Sequence, residues 1–162
     1  MIKIYAGIGA RKTPNHILRD MTFISKKLDN EGYILRTGGA LGADNAFLKG
    51  STNSEVFLPW KYYNGEVSSN ISPSEEAFAI AEKFHPAWYN CTSSTRSLHA
   101  RNAHIILGNE LNDPVNFVIC YTPRGELIGG TALGIRIAEH YKIPIFNLGN
   151  QSMDQINVIF NR

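Results

Sequence analysis

Cysteine is scarce in this 162-residue chain: Cys91 and Cys120 are too few and too far apart for a metal or redox motif, and the five histidines show no ligand spacing. Neither a bound metal nor a resident cofactor is expected. No apolar run approaches the roughly 18 residues of a membrane span. The opening segment MIKIYAGIGARK lacks the apolar stretch and small-residue cleavage site of a secretory leader. The expectation is a cytoplasmic protein with no membrane partner. Charge is modest as well, with 19% charged residues and a formal net charge of +2, so there is no long basic stripe for tracking DNA. A phosphate-bearing partner is compatible with that balance. What is abundant is apolar: 43% hydrophobic and 10% aromatic residues are enough for one ordinary folded domain, without repeats or low-complexity tracts.

Periodicity divides the chain into alternating strands and helices. Ile2 to Gly7 reads as a β-rich run closed by glycines. Thr13-Pro14 then offers a cap and a first-turn proline. Ile17, Met21, Ile24 and Leu28 form one buried helical stripe ending at Glu31-Gly32. A strand over Tyr33 to Thr37 runs into a glycine turn and a short helix; Glu55 to Leu58 is a third strand, and Glu66 to Ser74 reads as a mobile loop. Ser74-Glu75-Glu76 opens a helix that Pro86 closes, and another begins near Ser93 to Thr95 and ends at Gly108. The nearly all-apolar Val115 to Tyr121 is expected as the central strand, buried on both faces. Thr131 to Tyr141 is helical, Ile143 to Leu148 is a last strand, and Met153 to Phe160 is a closing helix. This alternation predicts an α/β fold: a three-layer Rossmann-like sandwich around a mostly parallel sheet of about five strands.

In such sheets ligands sit beyond the carboxyl ends of the strands, where strand order reverses. Three glycine segments are expected at that edge: Gly7-Ile8-Gly9, Gly38-Gly39-Ala40-Leu41-Gly42 and Gly129-Gly130-Thr131. Without a Cβ, a glycine lets backbone N–H groups approach an anion, and a following helix N-terminus adds partial positive charge. The expected chemistry is phosphate recognition. None of the three is a P-loop, and Lys12 at the third position after Gly9 breaks the G-x-G-x-x-G dinucleotide fingerprint. Arg11 and Lys12 follow the first segment and are placed to neutralise a phosphate. Arg101-Asn102 lies in a helix with a buried side, where an arginine requires an anionic or carbonyl partner. Asp44 fits a ribose hydroxyl and the capping of backbone N–H groups equally well. Trp60, Tyr62 and Tyr63 read as packing aromatics before they read as a stacking wall for a base.

The order of these motifs resembles the SLOG superfamily, the Rossmann-like group containing the Smf/DprA DNA-processing proteins and the LOG phosphoribohydrolases. Thr37-Gly38-Gly39-Ala40-Leu41-Gly42-Ala43-Asp44 is similar to the Ser-Gly-Gly-Ala-x-Gly-x-Asp segment of the Smf/DprA proteins. Gly7-Ile8-Gly9-Ala10-Arg11 resembles their first-strand Gly-Ser-Arg turn. Arg101-Asn102 with Ile105-Ile106-Leu107-Gly108 is similar to their Arg-Asn-Arg-Ile-Ile-Ala-Gly helix, and Gly129-Gly130-Thr131-Ala132 to their late helix start. The resemblance implies a nucleotide or nucleic-acid phosphate pocket formed by Gly7, Gly9, Arg11, Lys12, Gly38, Gly39, Asp44, Arg101, Asn102, Gly129, Gly130 and Thr131.

Two departures shape the functional expectation. LOG hydrolases place a catalytic glutamate three residues after the threonine of their Pro-Gly-Gly-x-Gly-Thr segment; this chain has Gly134 there, with Glu126 and Asp44 as the remaining candidates. Ala103 interrupts the basic trio of the Smf/DprA helix. The leading expectation is a module that binds a nucleotide or nucleotide-derived small molecule. A nucleoside-monophosphate N-glycosidase and a single-stranded DNA-binding protein are the alternatives. A homodimer through the apolar face of Ala132 to Tyr141 stays open, since a monomer buries the same stripe.

Overall fold

Alternation along the first strand sorts residues between two cores. The computed structural model describes residues 2–160. In strand β1 (Ile4–Gly9), Ile4, Ala6 and Ile8 face one layer while Tyr5 faces the other. The same period of two divides strand β5 (Phe117–Tyr121): Val118 and Cys120 join the first core, Phe117 and Ile119 the second. Both strands are therefore apolar on both faces, as a covered parallel sheet requires.

The remaining strands are β2 (Ile34–Thr37), β3 (Ser54–Leu58), β4 (Asn70–Ile71) and β6 (Ile145–Asn147). All six form one parallel sheet in the order β4-β3-β2-β1-β5-β6. Helices α1 (Asn15–Asn30) and α2 (Ala43–Gly50) cover one face. The other face is covered by α3 (Glu75–Phe84), α4 (Ser93–Leu107) and α5 (Thr131–His140). A short α6 (Met153–Phe160) adds Ile156 to the α1/α2 side. The α1 stripe of Ile17, Met21, Ile24 and Leu28 is buried as its spacing requires. The Ser74 hydroxyl accepts from the Ala77 amide at the start of α3, and Thr92 caps α4 in the same way.

Three expectations change. The sheet has six strands because β4 lies in the polar segment read as a mobile loop; it pairs two residues with the end of β3, and the Ser68 hydroxyl donates to the Val56 carbonyl beside it. Strand β5 is interior but next to last, so β1 and β2 form the middle of the sheet. Gly7 and Gly9 do not form a turn: both are strand residues, registered against Ile119 and Tyr121. A Cβ at Gly7 would stand 2.6 Å from Phe47 Cγ, and one at Gly9 2.6 Å from Ala43 Cβ, so these glycines admit α2 close against β1.

The apolar stripe of α5 is used inside the chain. Leu133, Ile135, Ile137 and Ala138 belong to the first core and Ala132 is buried as well, while Tyr141, just past the end of the helix, is half-exposed. Among the described residues no helix is long and apolar enough to cross a membrane.

Candidate functional site

The sheet builds outward in one direction through β1, β2, β3 and β4, then returns to the far side of β1 for β5 and β6. The strand order therefore reverses between β1 and β5, and the loops leaving their carboxyl ends diverge there. A cleft of about 480 Å³ opens at this point. One wall is Gly9 to Lys12, leaving β1; the other is Thr122, Pro123 and Ile128 to Thr131, leaving β5 and entering α5. Ala40 and Asp44 from the second glycine turn close the floor, and Asn102 enters from α4.

Local chemistry holds each wall. The Thr13 hydroxyl donates to the Ala10 carbonyl at 2.5 Å, fixing the turn that presents the exposed Arg11 and Lys12. Asn102 Nδ2 donates to the Gly130 carbonyl at 3.3 Å, tying α4 to the third turn, while its Oδ1 accepts from Arg101 Nε at 3.0 Å. Helix α5 has no side-chain cap; the Ala132 amide donates to the Gly129 carbonyl at 3.3 Å, and the helix N-terminus stands beside exposed Gly129 and Gly130. A helix N-terminus in this state is an anion site. Gly129, at φ +75°, makes the bend that only glycine adopts at low cost, while Gly130 has ordinary helical angles.

The second turn is already occupied by an anion of its own. Asp44 Oδ2 accepts from the amides of Gly38 at 3.2 Å and Ala40 at 3.1 Å, so the capping role is the one the structure shows. Burial raises the Asp44 pKa to about 6, against the opposing pull of Arg101 and of these amides. Arg101 lies behind the turn and does not line the cleft. Its Nη1 donates to the carbonyls of Gly38 at 2.5 Å and Phe57 at 3.4 Å, and its guanidinium lies 5.5 Å from the Tyr63 ring centroid. The carbonyl partners that a buried arginine requires are thus within the chain.

Of the twelve residues expected at the site, eight line one cleft: Gly9, Arg11, Lys12, Asp44, Asn102, Gly129, Gly130 and Thr131. Gly7, Gly38, Gly39 and Arg101 do not. Gly7 packs on Phe47, Gly38 on Arg101, and Gly39, at φ +70°, turns toward Leu58. Trp60, Tyr62 and Tyr63 stand outside as well: Tyr63 is buried edge-on to Trp60, and Tyr62 is exposed. Sequence reasoning missed Ile8, Ile128 and the Thr122-Pro123 bend. The signal for Ile128 was an apolar pair, Leu127-Ile128, stranded in a loop and left about half exposed. Glu126, a candidate carboxylate, pairs with Arg124 at 2.8 Å away from the cleft. Among the described residues Asp44 is the one carboxylate in the lining.

A parallel six-stranded sheet with a glycine-walled cleft at its reversal point defines a Rossmann-like α/β fold. Two solved structures share the fold. One is DNA processing protein A from Helicobacter pylori, described by its single-stranded DNA binding mode, with a TM-score of 0.62 and 21% identity over 90% of this chain. The chain spans 64% of that protein. The other is the Moco Carrier Protein of Chlamydomonas rheinhardtii, with a TM-score of 0.57 and 19% identity over 93% of this chain and 78% of that one. At these identities the likeness is one of fold. No protein-family model matches the chain, and no curated protein matches it.

Proposed function

We propose that the chain binds a phosphate-containing nucleotide or nucleotide-derived small molecule in the cleft between β1 and β5. The phosphates would rest on the first amides of α5, with Arg11 and Lys12 neutralising them from the opposite wall. Ile8, Ala10 and Ile128 supply apolar surface for the remainder of the ligand. The observation that supports this reading is convergence: a helix N-terminus without a side-chain cap, two exposed cations and glycine backbone face one another across a single cavity. Binding is favoured over N-glycosidic hydrolysis because Gly134 is buried in α5 and the Oδ2 of Asp44 is engaged by the turn amides.

Single-stranded DNA is the second reading, favoured by the neighbour described as binding it and by the exposed Arg11-Lys12 pair. A thermal-shift panel of nucleoside mono-, di- and triphosphates, the unphosphorylated nucleosides and a short single-stranded oligonucleotide separates the readings. Stabilisation by a free nucleotide that the matching nucleoside does not give supports the first, since a ligand at 100 times its Kd adds about 2.7 kcal/mol. Stabilisation by the oligonucleotide alone, falling steeply with salt, supports the second. Release of free base from a nucleoside monophosphate would replace both with hydrolysis.

A further inference from the structure

The end of α3, the following loop and α4 bring three ligand-type side chains together. The donor atoms of His85, Cys91 and His99 all lie within 4.8 Å of one another. Cys91 Sγ is 3.7 Å from His85 Nε2, and the two imidazole centroids are 4.5 Å apart. A tetrahedral zinc ion, with nitrogen at about 2.0 Å and sulfur at about 2.3 Å, holds its donors roughly 3.3 to 3.6 Å apart. The cluster is therefore within about an ångström of a coordinating arrangement.

Two further observations separate this group from a chance surface cluster. His99 is 7% exposed, and its Nδ1 is a buried polar atom with no hydrogen-bond partner among the described residues. Such an atom is costly unless something satisfies it. Burial, then the neighbouring His85 and Arg101, depress the His99 pKa to about 4, and burial with Arg136 lowers that of His85. Both rings are therefore neutral near pH 7, the form that coordinates metal.

We propose that His85, Cys91 and His99 form a three-ligand site for zinc, with the fourth coordination position open to the cavity beside the glycine cleft. His85 and His99 line that cavity of about 430 Å³, and Asn102, Gly129 and Gly130 are shared between its wall and that of the cleft. One thiolate and two imidazoles suit zinc and disfavour magnesium and calcium, which take oxygen ligands. Binding releases the Cys91 thiol proton to solvent. The Ala87 amide donates to His85 Nδ1 at 3.0 Å, which leaves the ring hydrogen on Nε2. Coordination through Nε2 moves that hydrogen to Nδ1 and frees an exposed amide that water can satisfy. The thiolate offsets one charge of the ion, and Arg136 on the same cavity wall favours an anionic fourth ligand.

The test is titration of the full chain with cobalt(II) as a spectroscopic stand-in, followed by zinc competition. One equivalent should produce thiolate-to-cobalt charge transfer and the visible bands of a tetrahedral ion, both erased by zinc. Cys91→Ser should abolish the charge-transfer band and weaken zinc binding at least about tenfold, a cost reached even when a supporting group is disturbed. His85→Ala should weaken it similarly, and its partial exposure keeps the test independent of how the buried His99 tolerates change. His16→Ala, on the exposed face of α1, should change nothing. Absence of the bands at one equivalent overturns the proposal, as does undiminished zinc affinity in a folded Cys91→Ser or His85→Ala protein.

Discussion

Replacing Gly130 with alanine should leave the fold intact and disable the cleft. Gly130 has φ −66° and ψ −32°, angles any residue adopts, and a Cβ built there meets nothing within 4 Å. Reduced freedom of the unfolded chain stabilises such a substitution by about 0.4–1 kcal/mol. The poorer N-cap preference of alanine offsets a similar amount. The melting temperature should therefore move by no more than about 4 °C, given roughly 2–4 °C per kcal/mol for a chain of this size. Gly130 lines the cleft, however, so the substitution adds a methyl group at the start of α5 where the phosphate is placed. Losing one charge-assisted hydrogen bond to a phosphate costs about 1.5–3 kcal/mol, or roughly 10- to 150-fold in Kd. Calorimetric titration with the nucleotide that gives the largest shift in the panel reads the second effect, and thermal denaturation reads the first. Gly7→Ala is the internal contrast: its Cβ would press into fully buried Phe47, so overpacking of about 1–3 kcal/mol should appear in stability. Gly130→Ala protein with unchanged affinity would refute the placement of phosphate on α5.

Other consequences follow from the same geometry. Arg101→Ala leaves two buried carbonyls and Asp44 without their cation, so it should destabilise by about 3–5 kcal/mol, read as a fall in the denaturation midpoint; a stable variant with lost affinity would restore Arg101 as a direct ligand. Asp44 is held near pKa 6 in the fold against 3.8 in the open chain, so the native state binds its proton more tightly and this group's contribution to stability falls as pH rises from about 4 to 6. Relative to Asp44→Asn, wild-type stability should decline by up to about 3 kcal/mol across that window in denaturant titrations at fixed pH values. His99 acts with the opposite sign over the same range, so the difference between the two proteins, and not either curve alone, is the quantity to read. Arg11→Ala combined with Lys12→Ala should leave the melting temperature unchanged, because both side chains are exposed, and should flatten the salt dependence of ligand binding; an unaltered slope would remove them from the site.

Much of the fold was legible because the chain repeats one local grammar. The α1 stripe, the Ser74 cap and the apolar β5 each announce an element through spacing or chemistry that depends on few neighbours. Strand β4 escaped because two residues in a polar segment have no period to detect, and its pairing depends on where β3 ends. The glycines illustrate a different limit. Gly7, Gly9 and Gly130 are the same letter, but the first two admit a helix against a strand and the third lies open at a cleft. Only the partner across the gap distinguishes those uses. Arg101 was ambiguous for a related reason, since its Gly38 and Phe57 carbonyl partners lie on separate elements, whereas Asp44 caps amides only four and six residues before it, a role its letter shares with ribose binding. The His85, Cys91 and His99 cluster had no sequence spacing to betray it, since the end of one helix and the body of the next bring it together.

The most direct measurement is an amide-resolved NMR titration with the same nucleotide. The largest shifts should fall at Gly9 to Lys12 and at Gly129 to Ala132, with Gly38 and Ala40 little moved because Asp44 already holds their N–H groups. Shifts centred on Gly38 to Ala40 or on the opposite edge of the sheet, with the β1 and β5 loops unmoved, would contradict the cleft as the binding site.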